Sequence, residues 1–333
     1  MLRIRCNRYL LHLFVVAAVL CLVQITLVLA ATPAAAAERI VEVWRGTGFN
    51  RPVTVSANPI DGSCWVGCLY SGQVVHLSAT GVRLQESTRF NVPWSVAVNP
   101  TDGTVWIANS NLTGGDGTAV RLTGEGKLLA RGGAFWWPGA IAVNPNDGSC
   151  WVPDGVNNLV VHVAKDGAVL SRSEGFNYPC AVSVNPKDNS VWVANYGIGE
   201  VVHLAADGSE LWRGAGFKEP HSVSVNPTDG SVWVADRLNY NVVHLSKDGA
   251  VLWRGGNFYY ACCVSVNPKD GSCWVADLGA GAVIHLAADG TELWRGKGFQ
   301  PYFLCVNPKD GSVWVADEWD GGVVHLVIQK PGA

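Results

Sequence analysis

The chain has 333 residues, of which 48% are hydrophobic and 15% are charged, and it contains 38 glycines and 15 tryptophans. So apolar a composition argues against a largely disordered chain and is typical of a protein with a large buried core. The formal net charge is −3 at pH 7 and no long run of Lys and Arg is present, which argues against nucleic acid as a partner.

The N-terminal segment, residues 1–37, differs from the rest of the chain. Three arginines precede an apolar run over residues 10–31, and alanines fill positions 34–37. A basic start, an apolar run and small residues are typical of a secretory signal peptide, here with cleavage after residue 37. The run of about 22 residues is also long enough to stay in the bilayer as an anchor. Either way we expect an extracytoplasmic protein, secreted or periplasmic, or tethered to the membrane through residues 10–31.

The remainder, residues 38–333, is built from a repeat of about 41 residues. An Asn-Pro dipeptide marks each copy, and its asparagines are Asn58, Asn99, Asn144, Asn185, Asn226, Asn267 and Asn307. The copy at 220–258 contains four β-rich runs, SVSV, SVWVA, VVHL and VLWR, separated by Asn-Pro-x-Asp-Gly and Asp-Gly turns. Four antiparallel strands in each of seven copies predict the blades of a β-propeller.

The two ends of the array complement each other. Residues 39–46 (RIVEVWRG) match only the fourth strand of a copy, and the last copy stops after its third strand near Leu326. A ring leaves no open sheet edges when these fragments pair. The sequence therefore predicts an all-β, seven-bladed β-propeller in which the N-terminal strand closes the last blade.

The motif resembles that of the NHL-repeat propellers. The segment DGSVWVAD at 229–236 is followed by VVHLSKDG at 242–249, and both are similar to segments of the NHL unit. The chain is also similar to YVTN-type and streptogramin-lyase-type propellers. The resemblance implies the fold; it leaves the activity open, because this scaffold carries lyases, lactonases and plain binding modules.

Several conspicuous polar residues recur at fixed repeat positions, and this pattern favours structural roles. The recurring histidines are His76, His162, His203, His244, His285 and His325. The residues that close the second strand are Asn109, Asp154, Asn195, Asp236, Asp277 and Asp317, which we expect to bond neighbouring backbone N–H groups. The eight cysteines after residue 37 are expected to be mostly buried free thiols.

Aromatic residues outside the repeat give the functional signal. They are Tyr70, Trp94, Trp136, Trp137, Tyr178, Tyr196, Tyr240, Tyr259, Tyr260, Tyr302 and Trp319. We place all of them in the connections between strands two and three or between strand four and the next blade. In an antiparallel blade both connections emerge on one face, so the sequence predicts an aromatic face opposite a face of uniform turns.

The resulting hypothesis is a binding module for a carbohydrate, a peptide or a protein of the cell envelope. The predicted ligand-binding residues are Trp94, Trp136, Trp137, Tyr178, His221, Arg237, Tyr240, Tyr259, Tyr260, Tyr302 and Trp319. No catalytic residue, metal site or cofactor is predicted. Three alternatives stay open: the rings only plug the channel mouth, the same face carries a metal-dependent lyase or lactonase, or the repeat domain has no ligand.

Overall fold

The computed structural model describes residues 39–111 and 117–329. The predicted signal peptide or anchor lies outside the described residues. The described chain forms seven four-stranded antiparallel sheets, each a blade. Blade 1 is β2 (Pro52–Ala57), β3 (Cys64–Cys68), β4 (Gln73–Leu77) and β5 (Arg83–Ser87); blade 2 is β6 (Val92–Val98), β7 (Val105–Ser110), β8 (Gly117–Leu122) and β9 (Leu128–Phe135); blade 3 is β10 (Ala142–Val143), β11 (Cys150–Asp154), β12 (Leu159–Val163) and β13 (Val169–Ser173).

The remaining blades follow the same order. Blade 4 is β14 (Pro179–Val184), β15 (Val191–Asn195), β16 (Glu200–Leu204) and β17 (Glu210–Ala215); blade 5 is β18 (Pro220–Val225), β19 (Val232–Asp236), β20 (Asn241–Leu245) and β21 (Val251–Gly255); blade 6 is β22 (Ala261–Val266), β23 (Cys273–Asp277), β24 (Ala282–Leu286) and β25 (Glu292–Lys297); blade 7 is β26 (Pro301–Val306), β27 (Val313–Asp317), β28 (Gly322–Gln329) and β1 (Arg39–Gly46). Two single-turn 3-10 helices, Tyr196–Ile198 and Arg237–Asn239, follow the second strands of blades 4 and 5. No helix in the described ranges is long and apolar enough to cross a membrane.

Strand β1 closes the ring, as the sequence predicts. It pairs antiparallel with β28, from Arg39 opposite Gln329 to Gly46 opposite Val323. The strand order in this sheet is β1-β28-β27-β26, so the first strand of the described chain supplies the outer strand of the last blade. The seven-bladed, four-stranded architecture is therefore confirmed.

The hydrophobic core lies between blades. The repeated tryptophan of each second strand is fully buried and packs on the next blade: Trp233 of blade 5 contacts the Ile284 cluster of blade 6. Trp314 of blade 7 packs in the same way against the cluster of Val55 in blade 1, which joins the two ends of the ring. The repeated packing explains why these positions hardly vary in sequence.

The repeated histidines have structural roles. Each ring stacks on the tryptophan of the neighbouring strand in its own blade, as with His244 on Trp233 at a centroid distance of 4.2 Å. Nε2 of His244 lies 2.9 Å from the Ser231 hydroxyl, and its Nδ1 donates to the Ala288 carbonyl of the next blade at 3.1 Å. The structural interpretation of these histidines is confirmed.

The innermost strand of each blade is a sheet edge, so its outward N–H groups need partners from the neighbouring blade. Serines supply many of them: the hydroxyl of Ser224 accepts the Val266 N–H of the next blade at 3.1 Å. Between blades 3 and 4 alanines replace these serines, and the backbones bond directly, with the Ala140 N–H donating to the Cys180 carbonyl at 2.8 Å. These inner strands form the wall of a central channel.

Candidate ligand site in the central channel

A bulge in the innermost strand turns one residue of most blades into the channel. In blade 5, Pro220 pairs with Asp236 and Ser222 pairs with Ala235, which leaves His221 unpaired between them. The same shift occurs in the innermost strands of blades 1, 2, 4, 6 and 7. Bulges of this kind redirect side chains and are common beside functional sites.

This single repeat position carries different side chains around the ring. We call it the channel ring: Val53, Trp94, Gly139, Cys180, His221, Cys262 and Tyr302. All seven residues line a cavity of about 670 Å³ in the channel. Since the frame repeats and this position does not, the channel is chemically asymmetric.

The large members of the channel ring meet each other. Trp94 of blade 2 lies edge-to-face with Tyr302 of blade 7, at 6.2 Å between centroids, and Tyr302 meets His221 of blade 5 at 6.0 Å. The other four members are small, among them Gly139, and they leave room in the cavity. The channel is therefore narrowed by three side chains but keeps a sizeable open volume.

Rings from the connecting loops extend this series. Trp137 meets Trp94 at 6.3 Å, Tyr196 meets His221 at 6.3 Å, and Tyr178 meets Tyr196 at 5.9 Å. The resulting unbroken set of six half-buried rings, here called the aromatic rim, consists of Trp94, Trp137, Tyr178, Tyr196, His221 and Tyr302. All six line the cavity.

Arg237 brings a charge to the aromatic rim. Its Nη2 donates to Glu219 at 2.5 Å and to the Tyr196 hydroxyl at 2.6 Å, and its guanidinium lies over the Tyr260 ring at 4.3 Å. Burial raises the pKa of Tyr196 to about 12, so this phenol stays protonated at neutral pH. Burial also acts to raise the pKa of Glu219, but hydrogen bonds from Arg237 and Tyr196 outweigh it and hold that pKa below its usual value.

His221 is neutral at physiological pH. Burial and, to a lesser degree, the nearby charge of Arg237 lower its pKa to about 4. Its Nδ1 lies 2.7 Å from the Cys262 carbonyl oxygen, and because a carbonyl only accepts, Nδ1 carries the proton. Nε2 is thus a lone-pair acceptor with no hydrogen-bond partner in residues 39–111 and 117–329.

The loops that carry the rim are fixed by the residues that end the second strands. Oδ1 of Asp236 accepts the Lys218 N–H at 2.6 Å, and Oδ1 of Asp154 accepts the Trp136 N–H at 2.7 Å. Equivalent bonds occur at Asn109, Asn195, Asp277 and Asp317. The predicted backbone-capping role of this position is confirmed.

Backbone strain is concentrated next to the channel ring. Trp137, Tyr178 and Glu219 directly precede the proline before their channel-ring residue, and they have φ values of 67°, 51° and 55°. Arg51 holds the same position in blade 1 with φ 57°. A left-handed conformation at a residue other than glycine costs roughly 1–3 kcal/mol and persists only where the surrounding structure enforces it.

The structure brings together seven of the predicted ligand-binding residues and separates four. Trp94, Trp137, Tyr178, His221, Arg237 and Tyr302 line the cavity, and Tyr260 stacks on Arg237. Outside the lining lie the exposed side chains of Trp136, Tyr240, Tyr259 and Trp319. Their role in ligand binding stays a prediction.

One placement from the sequence was wrong. Trp94 and Tyr302 lie within β6 and β26, not in the connecting loops. The physical reason is the bulge, which breaks the alternating pattern and makes the start of each innermost strand look like a loop. The sequence reasoning also missed Cys180 and Cys262 as lining residues, although an alignment of the seven copies at the channel-ring position reveals both.

A second aromatic cluster lies on the boundary between blades 7 and 1. The guanidinium of Arg51 is held over Tyr70 at 4.8 Å and over Trp319 at 5.2 Å, and its Nε donates to the buried Glu318 at 2.5 Å. Tyr70 and Trp319 are about two-thirds exposed, at 64% and 65%. This cluster joins the two blades where the ring closes.

The remaining candidate chemistry is that of the thiols and of metal ligands. The eight cysteines of the described residues are free, and six are buried, as expected. Burial raises the pKa of Cys262 to about 12, so its thiol is not ionised at neutral pH. Within residues 39–111 and 117–329, no three His, Cys, Asp or Glu side chains come together in a way that can hold a metal ion.

Comparison with known proteins finds similarity in fold only. No protein-family model and no curated protein sequence matches it. Virginiamycin B lyase from Staphylococcus aureus superposes with a TM-score of 0.71 at 16% identity, covering 88% of this chain and 100% of the lyase. The likeness is one of fold.

Two further structures lead to the same conclusion. A catalytically inactive His-to-Ala variant of the same lyase with quinupristin gives a TM-score of 0.72 at 15% identity, covering 88% of this chain and 100% of that one. Hydrazine synthase from Kuenenia stuttgartiensis gives 0.73 at 15% identity, covering 86% of this chain and 97% of that one. At these identities the similarity to streptogramin-lyase-type propellers supports the propeller and carries no activity with it.

Proposed function

We propose that this propeller is an extracytoplasmic binding module that holds its ligand in the central channel at the aromatic rim. The observation that supports the proposal is the unbroken series of ring contacts around a cavity of about 670 Å³. A cavity of this volume that combines aromatic walls with a few polar groups suits a small ligand. A sugar, or one end of a peptide, can place its flat apolar side on these rings at a small cost in entropy.

The asymmetry of the channel ring further supports binding. A plug needs only bulk, and the repeated inner-strand residues can supply bulk equally from every blade. Instead the channel ring combines an indole, a phenol, an imidazole, two thiols, a valine and a glycine, next to residues with strained backbone. Different side chains on an otherwise uniform frame favour recognition of one particular ligand.

The test is a glycan and peptide array screened with the full chain, followed by affinity measurements on each hit. Trp94→Ala removes the ring that joins Trp137 to Tyr302, so we expect at least a tenfold loss of affinity with the fold retained. Tyr70→Ala is the matched control, because Tyr70 is an exposed aromatic residue that lies outside the cavity lining and is not a predicted ligand-binding residue. Hits that bind both variants as tightly as the unaltered protein contradict the channel as the ligand site.

A lyase is the second candidate, favoured by the state of His221. The Cys262 carbonyl fixes Nδ1 of the neutral imidazole, so Nε2 presents a lone pair to the cavity and can accept a proton there, as a weaker base than a free histidine. One of the similar structures is a catalytically inactive His-to-Ala variant of virginiamycin B lyase with quinupristin. Turnover of quinupristin or a lactone panel that is lost in His221→Phe supports this candidate, and no turnover with or without added divalent cations argues against it.

Export remains a proposal, carried by the basic and apolar pattern of residues 1–37. Fractionation and the mass of the chain test it. A product that starts at residue 38 outside the cytoplasm supports a signal peptide, and an intact chain in the membrane fraction supports an anchor. An intact chain in the cytosol contradicts export.

A further inference from the structure

The charge of the cavity lining is carried by one residue. Among the described lining residues Arg237 is the only lysine, arginine, aspartate or glutamate, and His221 is neutral. We propose that the ligand carries a carboxylate beside a flat apolar portion, and that Arg237 binds that carboxylate. The inference rests on the proposed function, because it takes the channel as the ligand site.

Hydrogen bonds occupy only part of the Arg237 guanidinium. Nε and Nη2 donate to Glu219, and Nη2 also donates to the Tyr196 hydroxyl. Nη1 has no hydrogen-bond partner in residues 39–111 and 117–329, although the side chain is only 13% exposed. Because Arg237 lines the cavity, the N–H groups of Nη1 can donate to a ligand oxygen.

The guanidinium is held in place before any ligand arrives. Tyr260 stacks on its face at 4.3 Å, Tyr196 lies within 5.2 Å, and the Glu219 pair fixes one edge. A charged donor in a fixed orientation makes hydrogen bonds about twice as strong as those between neutral groups. This arrangement distinguishes a carboxylate from a neutral amide of the same shape.

The rest of the lining accommodates an anion. Glu219 pairs with Arg237 and is not part of the lining, so the described lining itself contains no carboxylate. Tyr302 and the indole of Trp94 are neutral and can donate hydrogen bonds. The aromatic rim supplies rings for the apolar portion, which favours an aromatic or similarly flat acid.

Two matched probes test the proposal: indole-3-propionate and its neutral amide, indole-3-propionamide. Binding to the full chain is measured by ligand-observed NMR and titration calorimetry at low ionic strength. We expect the acid to bind about tenfold more tightly than the amide. The preference should disappear in the double variant Arg237→Gln/Glu219→Gln, which avoids leaving an unpaired carboxylate that would itself repel the acid.

The control is the double variant Arg51→Gln/Glu318→Gln. Arg51 is also stacked on an aromatic ring and paired with a glutamate, but it lies outside the cavity lining. This variant should keep the preference for the acid, and thermal melts verify that both double variants fold.

The outcomes separate the inference from the proposed function. If acid and amide bind equally and Trp94→Ala weakens both, the proposed preference for a carboxylate is wrong, while the channel remains the ligand site. A preference for the acid that survives in the Arg237 double variant overturns the role of Arg237. Failure of the acid to bind at millimolar concentration overturns the inference, while the array screen decides the proposed function independently. Acid binding that Trp94→Ala leaves unchanged contradicts both.

Discussion

Acidification should destabilise this protein in a way that can be traced to His221. The pKa of His221 in the folded protein is about 4, against 6.5 for an unperturbed histidine. Between these values the unfolded chain binds more protons than the folded one, so the free energy of unfolding falls as the pH falls. One pKa unit corresponds to 1.36 kcal/mol, which gives a loss of about 2 kcal/mol between pH 7.5 and pH 5 from this residue alone.

The variant His221→Phe isolates this contribution. Phenylalanine keeps a ring in the channel but cannot titrate, and the loss of the bond to the Cys262 carbonyl costs about 1 kcal/mol at every pH. Burial also lowers the pKa of repeat histidines such as His76 and His244 and raises that of aspartates such as Asp277, but these effects are common to both proteins and cancel in the comparison.

Urea unfolding followed by tryptophan fluorescence at pH 7.5, 6.5, 5.5 and 5.0 measures the difference. We expect the variant to be the less stable protein at pH 7.5 and to approach or overtake the unaltered protein at pH 5. Parallel curves, with a constant difference over this range, would show that folding does not lower the pKa of His221 and would refute the effect of burial assigned to it.

Two further predictions concern the frame. Removal of residues 39–46 leaves blade 7 with three strands and an open β28 edge, so we expect a lower melting temperature and self-association, measured by circular dichroism and size-exclusion chromatography. Gly139→Ala places a Cβ 2.2 Å from the Cys180 carbonyl oxygen where two backbones approach directly, and should cost about 1–3 kcal/mol in urea unfolding. Gly256→Ala, whose nearest contact is 4.0 Å away, is the control, and equal stabilities of the two variants would contradict the close approach.

Much of the fold could be predicted from the sequence because the repeat determines the turns, the strands and the number of blades together. The Asn-Pro-x-Asp-Gly segments fix the first hairpin of each blade, as in the turn where Asn226 Oδ1 accepts the Thr228 N–H and Gly230 takes φ 79°. The strand at 39–46 could be assigned to the last blade, since only the last copy lacked an outer strand.

The site could be predicted only in part, because it depends on register. A one-residue bulge between Pro220 and Ser222 is invisible in composition, yet it decides that His221 faces the channel. For the same reason Trp94 was placed in a loop. The pairing of Arg237 with Tyr196 and Tyr260 joins loops of three different blades, and no spacing within one copy encodes that contact.

The repeated positions that build the blades differ from the channel-ring position in how much a change of residue costs. A tryptophan such as Trp233 is fully buried between blades, so a change there opens a cavity in the core and costs several kcal/mol. The channel-ring position is different: in six blades a bulge removes it from the strand ladder, and its side chain lines the channel. Val53 of blade 1 and Cys180 of blade 4 occupy it with the same register shift, whereas in blade 3, which has Gly139, the innermost strand is only Ala142–Val143. Where the bulge is present, the residue at this position is therefore less constrained than the rest of each copy, and the chemistry of the channel can differ from blade to blade while the ring stays closed.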